Sequence, residues 1–254
     1  MSDLPVWARE PFMYIIDDIE QMAETQLLFA VGSSMLLMEP LSSQILQSAS
    51  QLLKSSGVTD QDDWINRVIK IAKGEDALNS IFKQSTVVLW SSLEAFVNDF
   101  LILWLKNVPS ALKSDDIVRI KISIAQYNQM NDEERLQYIL DMLKQSLNVP
   151  NKQGINGFEA LLQVFDLTGS IDRDISRDLY ELSHIRNVIV HRRSIADKRL
   201  IDACPWLNLS IGDRVIVDSA IHLRHVNAVK EYIKTMFQRV TEFFSSGTTT
   251  EISK

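Results

Sequence analysis

The chain has one cysteine, Cys204, in 254 residues. That excludes an internal disulfide framework and a cysteine-built zinc site, and it suits a reducing compartment. Glycine and proline are scarce, 8 and 6. With so few punctuators, long helices are expected over many short strands. Positive charge is not in excess: the net charge is −7, so the surface as a whole does not advertise binding to a polyanion. The opening Met-Ser-Asp-Leu-Pro lacks the basic and apolar regions of a secretory signal, so a cytoplasmic protein is expected. One run, Val87 to Leu105, is apolar enough to raise the question of a membrane span. Glu94, Asn98 and Asp99 interrupt it, and each charge there would cost about 2.5–3.5 kcal/mol in a bilayer. A core helix is expected instead, with no membrane partner. Hydrophobic residues at 46% and charged residues at 23% are ordinary for a globular protein, and the length suits one domain with an appended segment.

Helical patterns fill most of the chain. Runs are expected at 12–38 (Pro11 near its start, Pro40 at its stop), 41–54 and 60–73, together an N-terminal helical extension over 1–75 packed on the core. The strongest run is 76–106, ended before Pro109 and apolar nearly all round. Its exceptions, Ser91, Glu94 and Asn98, share one stripe, and a buried carboxylate there needs a partner. Runs at 115–127 and 132–147 follow, the second opened by an Asn131/Glu134 capping box. Asn148 to Gly154 is a turn-rich loop, 157–167 a short helix, 172–192 a longer one and 219–244 the last. The 194–206 segment reads as irregular and basic, and 209–217 as a small hairpin or loop insertion about Gly212-Asp213. Residues 245–254 read as a disordered tail.

The densest chemistry lies in Glu181-Leu-Ser-His-Ile-Arg-Asn-Val-Ile-Val-His-Arg-Arg193, the end of the 172–192 helix. Ile175, Leu179, Leu182, Ile185 and Ile189 define its core face. Tyr180, His184, Asn187 and His191 form a second stripe, and Arg186 lies at the margin of the core face. From His184 to Leu200, Arg186, Arg192, Arg193, Lys198 and Arg199 stand against Asp197 alone, a local balance of five minus one, or +4. Such a patch can hold a phosphate backbone on an otherwise acidic protein. Equally, basic side chains at a helix end complement its dipole.

The run Arg186-Asn-Val-Ile-Val-His191 resembles the signature of HEPN domains, an Arg followed by a polar residue and then by a His after four to six positions. The Leu93-Glu-Ala-Phe-Val-Asn98 helix is similar to the earlier core helix of that family, and the resemblance covers about residues 76–244. Arg177, Asp178 and His184 also meet the spacing, but the later match closes the helix and runs into the basic loop. The resemblance implies an all-α, HEPN-like helical bundle that dimerises. It also implies a metal-independent endoribonuclease leaving a 2′,3′-cyclic phosphate, with no cofactor, in bacterial antiphage defence or a toxin–antitoxin system. Its partners would be RNA, a second copy completing a composite site, and an antitoxin or other protein.

In that reading His191 transfers protons, since histidine titrates near neutrality. Arg186 supplies the forked donor for phosphate oxygens, and Asn187 positions. Glu94, Asn98, His184 and Tyr180 support them, and Arg192, Arg193, Lys198 and Arg199 bind RNA. Five helical residues place Arg186 and His191 about 140° apart, so two protomers or a distorted last turn would have to join them. The alternatives are a non-catalytic HEPN-like dimer binding nucleotide, RNA or protein, and a structural helical protein in which Arg186 is a buried ion-pair partner and His191 a helix-end cap. His222 and His225 are not spaced as metal ligands.

Overall fold

A computed structural model describes residues 4–35, residue 48 and residues 75–246. The runs expected at 41–54 and 60–73, and the tail beyond 246, lie outside the described residues. Among the described residues there are nine α-helices, three short 3-10 turns and no strand.

The apolar run at 76–106 forms α2, Glu75–Asn107, the central post of the bundle. Leu89, Leu93, Phe100 and Trp104 on α2 are fully buried. α1 (Val6–Met35), α7 (Arg173–Arg192) and α9 (Ser219–Ser245) pack around this post. Among the described residues α2 is the one helix long and apolar enough to cross a membrane, and this packing accounts for its apolar character. The polar stripe of α2 is not buried as expected: Ser91 and Glu94 are exposed, on a strip of α2 that no helix covers among the described residues. α1 begins earlier than its pattern suggested, and Pro11 sits inside it rather than at its start. The lost rung at Pro11 is offset by aromatic packing. Phe12 meets Phe96, Phe100 and Phe237 edge-on at 5.1–5.3 Å, so α1 shares the main core.

The expected helix at 115–127 is instead two single turns, α3 (Asp115–Val118) and α4 (Ile124–Tyr127). Only Ile117 of these is buried, and a short helix with no face to bury is not held. α5 (Asp132–Ser146) opens with the expected capping box, Glu134 N–H to Asn131 Oδ1 at 3.0 Å and Asn131 N–H to Glu134 Oε2 at 2.8 Å. α6 (Asn156–Val164) ends before the expected 167, where Asp166 turns left-handed at φ 58°.

α7 is capped by Asp172, whose carboxylate accepts from Asp174 and Ile175 N–H. It ends in two left-handed residues, Arg193 and Ser194, both bonding back to Val188 O. That reversal sends 194–196 antiparallel to 212–215, with Val215 N–H on Ser194 O and Ala196 N–H on Asp213 O. The 209–217 segment therefore pairs with 194–196 at a single bridge, Ile195 to Arg214, and forms a loop insertion rather than a hairpin on itself. The expected irregular stretch also contains a helix, α8 (Lys198–Ala203), capped by Asp197. Phe82, Ile185, Val188, Ala196, Leu200, Cys204, Val215 and Val217 make a second, smaller core beneath this insertion.

Candidate functional site

The open strip of α2, the outward stripe of α7 and two loops enclose a cleft of about 610 Å³. α7 supplies its floor, from Ser183 to Arg192. The 149–157 segment builds one wall and the start of α8 another, with Trp90, Glu94 and Phe158 at the back. Arg186, Asn187 and His191, predicted as the catalytic set, all line it in a single chain. The cleft curves around α7, so residues 140° apart on the helical wheel open into one space without a second protomer.

Arg186 is held by its neighbour: Nη1 donates to Asn187 Oδ1 at 3.2 Å. Asn187 thus orients the arginine. Arg186 Nη2 faces Glu94 at 3.9 Å, too far for a hydrogen bond, and Nε has no partner. Glu94 supports Arg186 only through this long pairing, with 46% of its side chain exposed. His191 and Asn187 are exposed at the cleft.

His184 also lines the cleft but is buried, its Nε2 without a partner and its ring 4.5 Å from that of Tyr180. Burial lowers its pKa, with Arg199 adding to the effect and Asp197 opposing it. Tyr180 stands behind the wall and donates its hydroxyl to Gln153 Oε1 at 2.6 Å. Asn98, predicted in support, instead bonds α5 through Gln137 and Lys144, at 3.3 and 2.5 Å. Its step along α2 carries it past the end of the open strip.

Of the four predicted RNA contacts, Arg192 and Arg199 line the cleft, whereas Arg193 and Lys198 are exposed outside it. Arg192 Nε lies 3.4 Å from Asp197 Oδ2. Lys152, Asn151 and Gln153 were not predicted, yet they line the opposite wall. The turn formers around them were legible, but nothing in spacing placed that loop against α7. With Lys152, Arg186, Arg192 and Arg199 against Glu94 and Asp197, the cleft is cationic within an acidic protein.

A second charged cluster occupies the other side of α7. Glu181 is fully buried and accepts from Trp206 Nε1 at 2.5 Å, Arg224 Nη2 at 2.7 Å and His225 Nε2 at 3.1 Å. Burial alone would raise its pKa, but the hydrogen bonds from His225, Arg224 and Trp206 outweigh it and hold the carboxyl at about 2. Arg224 also bonds Asp178 at 2.5 Å. His222 stacks on Phe82 at 5.1 Å, and burial, then His225, takes it down to about 4. Burial, aided by the Glu181 charge, pushes the Cys204 thiol up to about 12, which makes it a packing residue and a poor nucleophile.

Compared with models of known protein families, with curated proteins and with solved structures, the chain matches none of them.

Proposed function

We propose that the cleft is the active site of a metal-independent endoribonuclease of the HEPN type. The observation that carries this is Arg186, its Nη2 only loosely matched by Glu94, in one cationic cleft with His191. Nε is enclosed by the protein, so the donor left for a phosphate oxygen is Nη2, which Glu94 engages only at 3.9 Å. In the reaction the 2′-hydroxyl of RNA attacks its own phosphorus and gives its proton to water, while the bond from phosphorus to the 5′-oxygen breaks. The leaving oxygen takes a proton from His191, giving a 2′,3′-cyclic phosphate and a 5′-hydroxyl with no change of oxidation state. Arg186 holds the charge that builds on the phosphorane, Asn187 fixes Arg186, and Arg192 and Arg199 hold flanking phosphates. Pairing of two copies, a cytoplasmic setting, an antitoxin or other protein partner and a role in antiphage defence or as a toxin belong to the same proposal through the resemblance of the motif.

Incubating the purified chain and His191→Ala with a mixed RNA pool in EDTA tests this. Cyclic-phosphate ends from wild type alone are expected. Equal cleavage by the two proteins would remove the mechanism. RNA binding without any product would replace it with a non-catalytic binding module.

A further inference from the structure

The wall opposite α7 has a polarity that the phosphate chemistry does not use. Tyr180 O–H donates to Gln153 Oε1 at 2.6 Å. Burial, with Cys204 adding to it, raises the pKa of this phenol, so it keeps the proton it donates. Engaging the Gln153 carbonyl leaves its amine hydrogens as the group offered to the cleft. The next amide is fixed the other way round: Asn151 Nδ2 donates to Asn148 Oδ1 at 2.5 Å, which leaves Asn151 Oδ1 as an acceptor. Lys152, between them, brings only donors. All three are exposed and line the cleft.

This wall is preformed. Gly154 has φ +58°, and a Cβ there would sit 3.2 Å from Tyr180 Cα, so a side chain would strain the loop and crowd it against α7. A Cβ on Gly157 would meet Val149 Cγ1 at 3.0 Å, so the two ends of the wall are packed on each other. At the back of the cleft Phe158 stacks on Trp90, with centroids 5.5 Å apart, and Phe158 is only half-buried. A partly open aromatic beside a cationic groove is a platform on which a base stacks.

We infer that residues 151–153 form a base-reading subsite that selects, next to the bound phosphate, a nucleobase presenting C=O beside N–H, the edge shared by uracil and guanine. The inference rests on the reading of the cleft as a nucleic-acid site. Gln153 and Lys152 donate to the base carbonyl, and Asn151 Oδ1 accepts the ring N–H beside it. Cytosine and adenine present an amino group beside a bare ring nitrogen. They set donor against donor and acceptor against acceptor, and a wrong base then leaves polar groups of the wall unpaired.

The test is equilibrium binding of the 3′-monophosphates of uridine, guanosine, cytidine and adenosine to the full chain, beside inorganic phosphate. Uridine and guanosine phosphates are expected to bind about tenfold more tightly than the other two. Gln153→Glu replaces the amine donor by an acceptor and should tilt that ratio toward cytidine and adenosine. All four ligands carry the same phosphate, so the added charge does not alter the ratio itself. Tyr180→Phe frees the Gln153 amide to turn, and should bring the ratio toward one with the affinity for inorganic phosphate unchanged.

Equal binding of the four nucleotides, a ratio unmoved by Gln153→Glu, or no gain of any nucleotide over inorganic phosphate would each overturn the inference. Its failure is separable from that of the ribonuclease. A protein with the expected ratio that cleaves no RNA loses the proposed reaction and keeps the subsite. One that cleaves beside all four bases alike keeps the reaction and loses the subsite.

Discussion

α7 carries two charged clusters on its two sides, and they are built to opposite rules. Around Glu181 the carboxylate is sealed from solvent and both of its oxygens accept short hydrogen bonds. Around Arg186 the Glu94 carboxylate stands at 3.9 Å, the buried Nε has no partner, and Glu94, Asn187 and His191 are exposed. A fully matched buried network fixes geometry, and breaking it exposes the protein to an uncompensated charge. A loosely matched cationic cluster contributes little to folding and keeps its donors for a ligand. One helix thus carries a girder on one face and the proposed receptor on the other.

The largest effect that sharpens this contrast is on the receptor face. His191→Ala should lower cleavage by about 10²–10⁴-fold, the usual weight of one proton-transfer group, while circular dichroism and the thermal midpoint stay put. Loss of helix or of the midpoint would mean that His191 belongs to the girder. On the other face, Glu181→Ala should cost about 3–5 kcal/mol in urea unfolding, since Arg224 and His225 lose their carboxylate in the interior. A loss below about 1 kcal/mol there would erase the distinction between the two clusters.

Acid acts on the buried side as well. His222 titrates at about 4 in the fold against 6.5 when free, so the unfolded chain binds the proton first. Stability is therefore complete above pH 6.5 and falls as pH drops toward 4, by about 3 kcal/mol for a shift of this size. His184, also lowered by burial, adds in the same direction. Glu181, lowered from 4.5 to about 2, extends the loss over that more acidic range. Urea midpoints measured across pH 7 to 4 check this, and His222→Phe should flatten part of the slope.

The smallest effect belongs to Arg186→Ala, expected to change stability by less than about 1 kcal/mol because its ion pair is long and half exposed. A loss of several kcal/mol would turn Arg186 into the structural partner that a purely architectural reading of its position requires.

Much of the architecture was written in the periodicity. The 76–106 and 172–192 runs became α2 and α7 because each has a continuous face to bury, and the Asn131 capping box formed as spelled. The 115–127 run lacked that face and broke into two turns. The segments at 194–206 and 209–217 misled for a different reason. Their order comes from pairing with each other after the left-handed reversal at Arg193 and Ser194, a contact that a local pattern cannot encode. At the site, the motif found the floor, because Arg186, Asn187 and His191 are near neighbours on one helix. It could not find Lys152 or Gln153, which meet them only through the fold, nor show that Asn98 turns to α5. The buried partners of Glu181 were equally hidden, since Arg224 and His225 lie more than forty residues away along the chain.

The walls of the cleft come from residues 90–94, 149–158 and 183–200, joined only when long stretches of chain have closed. Closing such separations is slow compared with winding a helix. In a refolding experiment the helical signal should return before the cleft can hold a nucleotide. Recovery of binding would then report the arrival of the complete tertiary structure, and no contiguous fragment of the chain would inherit it.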